Sequence, residues 1–285
     1  MKEIRNILGF SENLLRNVNV DNPFYESKVI LCNVIKKKLL DIFVDETLKI
    51  SNKQKKAFYQ KIFKRMNGKP LSKIFGFKEF YSNIFFTNTF TLDPRPETEL
   101  IIDVVKKKTL NKKKIKILEL GTGSGCLIIS LILELTKQKN VTGIGVDLCD
   151  ESLKVSKKNV SKYGLQNKIK IFKSNWFSNI NEKFDIIVSN PPYIKSKTIP
   201  FLTKEVRNFD PHVALDGGEN GLDSYRDIAK ECSKFLFKGG IICLEIGENQ
   251  YNEVKKMFQK KYLNLTSAHK DLSGIKRVLV FENKI

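Results

Sequence analysis

The segment from Ile115 to Leu135 limits the possible folds more than any other part of the sequence. It predicts a buried strand, Ile115 to Leu120, followed at once by the loop Gly121-Thr122-Gly123-Ser124-Gly125 and by an apolar helix from Cys126 to Leu135. Glycines allow a sharp turn and a close approach of the backbone to a ligand, and the free amides at the helix start favour an electronegative group. This order therefore predicts an α/β fold with a site for a nucleotide-type cofactor.

The glycine spacing distinguishes between two kinds of cofactor. The dinucleotide fingerprint needs a further glycine at the position of Cys126, so the pattern here is Gly-x-Gly-x-Gly and a pyrophosphate is disfavoured. S-adenosylmethionine is the better candidate. A second strand, Val141 to Val146, ends at Asp147, whose carboxylate can accept both ribose hydroxyls of such a cofactor.

A third feature is the turn Asn190-Pro191-Pro192-Tyr193, which follows an apolar strand that begins at Phe184. The two prolines fix the backbone and remove two donors, so the turn presents the Asn190 side chain, bare carbonyls and an aromatic ring. Alone, such a tetrapeptide more often marks only a rigid strand end. Together with the glycine loop and Asp147, it predicts a site for a flat amino group that donates its hydrogens and stacks on Tyr193.

These three features together resemble class I S-adenosylmethionine-dependent methyltransferases that methylate nitrogen. More narrowly, the chain resembles the HemK/PrmC family of peptide chain release factor glutamine methyltransferases. The resemblance covers nearly the whole chain and includes Gly68-Lys69-Pro70-Leu71, Gly76-Phe77-Lys78-Glu79-Phe80-Tyr81, Leu92-Asp93-Pro94-Arg95-Pro96-Glu97-Thr98-Glu99 and Pro211-His212-Val213-Ala214-Leu215-Asp216-Gly217-Gly218-Glu219-Asn220-Gly221-Leu222-Asp223. The segment Pro94 to Glu99 narrows the resemblance to this family, whereas Asp93 stands where many relatives carry an aliphatic residue.

The resemblance implies an enzyme of translation termination. Its activity would be transfer of a methyl group from S-adenosyl-L-methionine to the side-chain amide of the glutamine in the Gly-Gly-Gln motif of release factors. Relatives place an aromatic residue at the position of Trp176 against the adenine. The predicted cofactor-binding residues are Glu119, Gly121, Thr122, Gly123, Ser124, Gly125, Asp147, Trp176 and Asn190, with no metal, and the predicted catalytic and substrate-binding residues are Asn190, Pro191, Pro192 and Tyr193.

The predicted turn favours catalysis by positioning rather than by a base. An amide nitrogen is a poor nucleophile, and no histidine or cysteine belongs to the turn to remove its proton. We expect the Asn190 side-chain oxygen and the Pro191 carbonyl to accept the two amide hydrogens, with Tyr193 as a packing wall. Glu245, near the fifth strand, is interpreted as structural.

The chain divides into three predicted parts. Helical periodicity appears at Lys2 to Phe10, Phe24 to Lys37 and Asn52 to Met66, and aromatic alternation from Phe75 to Phe90 predicts a hairpin. We therefore predict a helical substrate-docking domain at residues 1–74, a linking hairpin at 75–92 and a Rossmann-like methyltransferase domain at 93–285. The last part predicts a doubly wound sheet, with a helix from Glu97 to Lys107, strands near Ile115, Val141, Ile169, Phe184 and Gly240, and a closing hairpin of Leu263 to His269 with Arg277 to Glu282.

Composition excludes several other classes of protein. The 285 residues can bury a substantial core, and no apolar run approaches the roughly 20 residues that span a bilayer. The first residues lack a secretory or transit signal, and the five cysteines form no Cys-x-x-Cys pair, so we expect a cytoplasmic protein with reduced thiols. With only His212 and His269 present, a histidine-rich metal site or a Ser-His-Asp triad is not predicted.

The formal charge of +20 raises the question of nucleic acid. Only seven of the 51 basic residues are arginines, and the lysines are scattered among abundant Asn, Ile and Phe, which indicates AT-rich codon usage more than a dedicated surface. Two alternatives stay open. One is methylation of the adenine amino nitrogen in nucleic acid, for which no target-recognition domain is visible. The other is a non-catalytic binding module for translation proteins, which cofactor affinity would distinguish.

Overall fold

The computed structural model describes residues 2–44, 49–110, 112–137 and 139–285. They form two compact units, Met1–Gly76 with Lys204–Phe209, and Phe77–Thr203 with Asp210–Ile285. Within the described residues the helices are α1 Lys2–Asn17, α2 Pro23–Ile35, α3 Leu39–Val44, α4 Asn52–Met66, α5 Leu71–Phe75, α6 Glu99–Lys108, α7 Cys126–Leu135, α8 Asp150–Lys162, α9 Lys204–Phe209, α10 Asp223–Glu231 and α11 Tyr251–Gln259. The strands are β1 Phe77–Phe80, β2 Asn83–Phe86, β3 Lys114–Leu120, β4 Asn140–Asp147, β5 Ile169–Lys173, β6 Phe184–Ser189, β7 Leu236–Glu245, β8 Leu263–Lys270 and β9 Lys276–Asn283.

The first unit is helical, as its periodicity predicts. Ser51 caps the start of helix α4. Its hydroxyl accepts from the Gln54 amide while the Gln54 side chain accepts from the Ser51 amide, a reciprocal cap that satisfies two free donors. Helix α1 is longer than predicted because its apolar stripe continues to the fully buried Leu15. The core of this unit is formed by side chains of α1, α2 and α4, including Leu15, Ile30, Leu31, Phe58 and Ile62.

The second unit contains a seven-stranded sheet of order β5-β4-β3-β6-β7-β9-β8. The five strands β3 to β7 pair in parallel, and β9 pairs antiparallel with both β7 and β8. The predicted doubly wound sheet and its closing hairpin are therefore confirmed. Strands β3 and β6 are buried over most of their length, including both side-chain directions, as expected for central strands of a parallel sheet covered by helices on both faces.

The predicted hairpin is formed by β1 and β2 and belongs to the second unit. Its two-residue turn, Tyr81 and Ser82, has positive φ at both positions, which matches the twist of an antiparallel pair. The Asn159 side chain on α8 accepts from the Phe86 amide at 2.8 Å and donates to the Phe86 carbonyl at 3.0 Å. The same side chain donates to the Ser124 carbonyl at 2.8 Å, so one buried amide fixes both the hairpin and the glycine loop.

Strand register brings the predicted site residues to one edge of the sheet. Leu120 at the end of β3 pairs with Val146 of β4 and with Ser189 of β6. Asp147 pairs with Lys173 at the end of β5. The loops that follow these four strands therefore emerge side by side, at the carboxyl edge where α/β sheets bind ligands. Among the described helices, none is both long and apolar enough to cross a membrane.

Candidate active site

The glycine loop after β3 leaves open space at the carboxyl edge of the sheet. Gly121, Gly123 and Gly125 all have positive φ, between 53° and 78°. A Cβ at Gly121 or Gly123 would meet no atom within 4 Å, whereas one at Gly125 would lie 3.2 Å from Ile129 Cδ1 and Ser156 Cβ. At Gly125 the positive φ disfavours any other residue, and a side chain would also crowd the packing of α7 against α8. The first two glycines leave the backbone open to a ligand at the start of α7.

Glu119 lies beneath this loop. Its carboxylate is buried and accepts a hydrogen bond from the Thr122 hydroxyl at 2.5 Å and from the Ile128 amide at 3.2 Å. Burial raises the pKa of Glu119 to about 8. These contacts give Glu119 a role in supporting the loop, and its direct contact with a cofactor stays a prediction.

Asp147 ends β4 and is half-buried beside the loop. Its Oδ2 accepts from the Gly123 amide at 2.8 Å, and its Oδ1 accepts from the Cys149 amide at 2.9 Å. Burial raises the pKa of Asp147 from its usual value, and the backbone donors oppose that rise. A carboxylate has about four acceptor positions, so beside these backbone donors Asp147 can still accept from a ribose hydroxyl.

Trp176 follows β5 in an uncommon backbone conformation. Its φ is 48°, in the left-handed region, and its carbonyl accepts from the Ser174 hydroxyl at 2.9 Å. The half-buried side chain packs against the apolar cluster that includes Leu120 and Val146, directly beneath the carboxyl edge. Backbone strain of this kind occurs most often at functional sites. Contact of Trp176 with adenine stays a prediction.

The turn after β6 is fixed at both ends. The Ser189 hydroxyl donates to the Leu120 carbonyl at 2.8 Å, which ties the end of β6 to β3. Asn190 Nδ2 donates to Thr98 Oγ1 at 2.9 Å, and the Tyr193 hydroxyl donates to Glu245 Oε1 at 3.1 Å. Pro191 is buried, and Pro192 and Tyr193 are half-buried. Asn190 Oδ1 is thus the side-chain atom of this residue left to receive a donor.

Two further residues belong to this arrangement: Thr98, to which the sequence pattern assigns no separate role, and Glu245, which is interpreted from the sequence as structural. Thr98 ends a 3-10 helix at Pro96–Thr98 that precedes α6, so the predicted helix from Glu97 to Lys107 is in fact divided in two. Glu245 ends β7 beside the turn, and the Thr98 hydroxyl donates to its Oε2 at 2.6 Å. A polar residue at the carboxyl end of the next parallel strand was the available signal.

The residues present fit S-adenosylmethionine. Open backbone over Gly121 and Gly123 can receive the methionine end, the half-buried Asp147 can receive the ribose, and no group of His, Cys, Asp or Glu side chains in the described residues is placed to hold a metal ion. The Asn-Pro-Pro-Tyr turn after the neighbouring strand β6 lies at the same edge, and its binding of an amino group stays a prediction.

Comparison with known proteins agrees with this assignment. The family described as "Methyltransferase small domain" matches residues 91–207. The chain shares its fold with the hMettl16 catalytic domain in complex with a 3'UTR hairpin, at a TM-score of 0.56 and 15% identity, over 79% of this chain and 81% of that one. The protein is a class I S-adenosylmethionine-dependent methyltransferase, which confirms the predicted fold and cofactor.

More specific matches define the family. The family described as "PrmC N-terminal domain" matches residues 7–76. The chain is 35% identical to the release factor glutamine methyltransferase of Agrobacterium fabrum, over 94% of this chain and 93% of that protein. It is also 35% identical to a bifunctional methyltransferase of Rickettsia felis, over 98% of this chain and 58% of that longer protein. The chain belongs to the HemK/PrmC family of release factor glutamine methyltransferases.

Replacing Asp147 with alanine should weaken S-adenosylmethionine binding by about 1 to 3 kcal/mol, because charge-assisted hydrogen bonds to the ribose are lost. Isothermal calorimetry on both proteins measures this difference. Asp150→Ala, which removes an exposed carboxylate three residues away, is the matched control and should bind normally. Equal affinity of Asp147→Ala and the unaltered chain would exclude the ribose role.

Proposed function

We propose that this protein methylates the side-chain amide nitrogen of the glutamine in the Gly-Gly-Gln motif of peptide chain release factors. The observation that carries the proposal is the orientation of Asn190, whose Nδ2 is bound to Thr98 while its Oδ1 is left to accept. Close relatives named as release factor glutamine methyltransferases, matched over almost their whole length, support the same substrate.

The residues of the turn bind and orient the substrate amide. Asn190 Oδ1 and the Pro191 carbonyl accept its two hydrogens and so direct the nitrogen lone pair. S-adenosylmethionine, when bound, supplies the methyl group from an electrophilic sulfonium. The two acceptors also stabilise positive charge that develops on the nitrogen. Orientation of this kind contributes about 7 to 11 kcal/mol in favourable cases, so no base is required before the transfer. The methylated nitrogen carries the positive charge and then gives up one proton to water.

Neither Tyr193 nor Glu245 is suited to act as a base. Burial, followed by the nearby Glu245 carboxylate, raises the pKa of Tyr193 well above its ordinary value, so the phenol stays protonated at neutral pH. Glu245 is itself fully buried, and both its oxygens accept hydrogen bonds within the protein. Positioning is therefore the mechanism that the described residues support.

The same acceptors select the substrate class. A glutamine amide offers two hydrogens on a flat nitrogen, whereas a lysine ammonium is tetrahedral and has no free lone pair. Glycines beside the glutamine let an extended loop enter a narrow site. We place the reaction in the cytoplasm, consistent with five unpaired cysteines, and expect no requirement for nucleic acid.

The first unit is proposed to dock the release factor. Its described surface has an open cavity of about 820 Å³, lined by apolar and basic side chains: Leu14, Lys56, Tyr59, Gln60, Ile62, Phe63, Lys64 and Met66. Phe63 is 66% exposed, and Phe10 is 57% exposed. Exposed aromatic residues beside lysines suit a partner that offers apolar and acidic groups.

Incubation with labelled S-adenosylmethionine and a full-length release factor should place the label on one glutamine, the one that directly follows two glycines. Peptide mapping by mass spectrometry identifies the labelled nitrogen. A matched release factor with that glutamine changed to alanine is the control and should stay unlabelled. Label on adenine in added nucleic acid, with none on glutamine, would overturn the substrate assignment.

A further inference from the structure

Thr98 links Asn190 to a buried carboxylate through a single hydroxyl group. The Thr98 hydroxyl donates to Glu245 Oε2 at 2.6 Å, and Asn190 Nδ2 donates to Thr98 Oγ1 at 2.9 Å. A threonine hydroxyl has one hydrogen. Because the carboxylate takes that hydrogen, Oγ1 can only accept from Asn190, and the Asn190 amide must turn its NH2 group toward Thr98. Its Oδ1 then points to the other side.

The same carboxylate holds the opposite end of the turn. Glu245 Oε1 accepts from the Tyr193 hydroxyl at 3.1 Å, and the Tyr193 carbonyl accepts from Gln250 Nε2 at 3.0 Å. Thr98 and Glu245 are buried, and the sheet fixes Glu245 at the end of β7. The orientation of the acceptor atoms in the turn is thus fixed by Thr98 and Glu245, which are buried on the protein side of the turn.

We propose that Thr98 and Glu245 are positioning residues that fix the flip of the Asn190 amide, so that Oδ1 and not Nδ2 meets the substrate. This inference rests on the proposed function, in which Oδ1 accepts from the glutamine amide. If the amide turned over, two NH2 groups would face each other and the substrate nitrogen would lose an acceptor.

The direction of this relay depends on the charge of Glu245. If its carboxyl group takes up a proton on Oε2, it can donate to Thr98, and the Thr98 hydroxyl is released to donate to Asn190 Oδ1, which favours the turned amide. Burial raises the pKa of Glu245 to about 7, Arg277 on β9 opposes this rise, and Glu97 adds to it. Tyr193 faces its side chain, and Tyr225 of α10 donates to its main-chain carbonyl. The carboxylate is present above that pKa, so kcat should fall as the pH is lowered through about 7.

The experiment compares Thr98→Val with Thr98→Ser in steady-state methylation of a full-length release factor. The valine has the same shape without a hydroxyl, and it should reduce kcat by about tenfold to a hundredfold, as expected when a buried donor loses its partner. Affinity for S-adenosylmethionine should be unchanged by calorimetry. The serine keeps the hydroxyl and should recover most of the lost kcat. Glu245→Gln should have low kcat and no fall through pH 7, because its amide does not titrate.

Two further variants separate this inference from the proposed function. Thr109→Val removes another buried hydroxyl, one that donates to the Val105 carbonyl, and should leave kcat unchanged. Asn190→Ala tests the acceptor itself. If Thr98→Val keeps full kcat while Asn190→Ala is inactive, the positioning role alone is overturned. The same holds if Thr98→Ser or Thr109→Val loses as much kcat as Thr98→Val does. An active Asn190→Ala overturns the acceptor mechanism. Thermal unfolding followed by circular dichroism should give the same melting temperature for Thr98→Val and Thr98→Ser. If only the valine variant loses its fold, the pH profiles of kcat for the unaltered chain and for Glu245→Gln decide instead.

Discussion

Replacement of Asn190 by alanine should lower kcat by about a hundredfold or more, because both orientation and charge stabilisation of the substrate nitrogen depend on its Oδ1. The side chain is half-buried, and its one hydrogen bond within the described residues is the donation to Thr98. The fold should therefore persist, with thermal unfolding close to that of the unaltered chain. Steady-state methylation at saturating cofactor and release factor measures the loss of kcat.

A matched control for this variant lies at the far edge of the sheet. Asn264 is exposed on β8, which is the strand most distant from β5 in the sheet order, and Asn264→Ala should keep the full rate. Near-normal turnover of Asn190→Ala under the same conditions would show that the turn does not act through an amide acceptor. The proposed role of the Pro191 carbonyl as the second acceptor would then lose its support as well.

Much of this site follows from sequence because its residues lie at strand ends. The loop Gly121 to Gly125, Asp147, Trp176 and Asn190 each lie at the end of a predicted strand or within three residues of it, and parallel pairing places such positions along one edge in any sheet of this class. Sequence could therefore predict the side of the sheet that carries the site. It could also predict the cofactor type, since glycine spacing and an acidic strand end are local features.

The hydrogen bonds by which Thr98 and Glu245 hold the turn could not be predicted in the same way. Asn190 and Thr98 are separated by 92 residues, and Thr98 and Glu245 by 147. Their meeting depends on which strand lies next to β6 and on where the 3-10 helix at Pro96–Thr98 ends, and neither is encoded in local periodicity. Glu245 looks like an ordinary strand-end residue until its two oxygens are seen to hold opposite ends of one turn.

The helical unit offers a second test with a large expected effect. A chain that begins at Phe77 removes α1 to α5 and keeps the hairpin β1-β2 with the sheet unit to which it belongs. It should bind S-adenosylmethionine normally, and methylate a short Gly-Gly-Gln peptide at the full-length rate. Its kcat/KM for a full-length release factor should fall about a hundredfold, equal to roughly 2.7 kcal/mol, because a short loop alone offers little contact area.

A point variant keeps this test valid if the shortened chain unfolds, since α9 groups with the removed unit. Phe63→Glu changes a side chain that is 66% exposed and lines the cavity of the helical unit, so folding should be preserved. It should raise KM for the release factor while the rate on the peptide stays constant. Leu40→Glu alters another exposed apolar residue of this unit, one outside that cavity, and should change neither KM for the release factor nor the rate on the peptide. Full activity of both Phe63→Glu and a folded shortened chain toward the whole release factor would assign docking to the sheet unit instead.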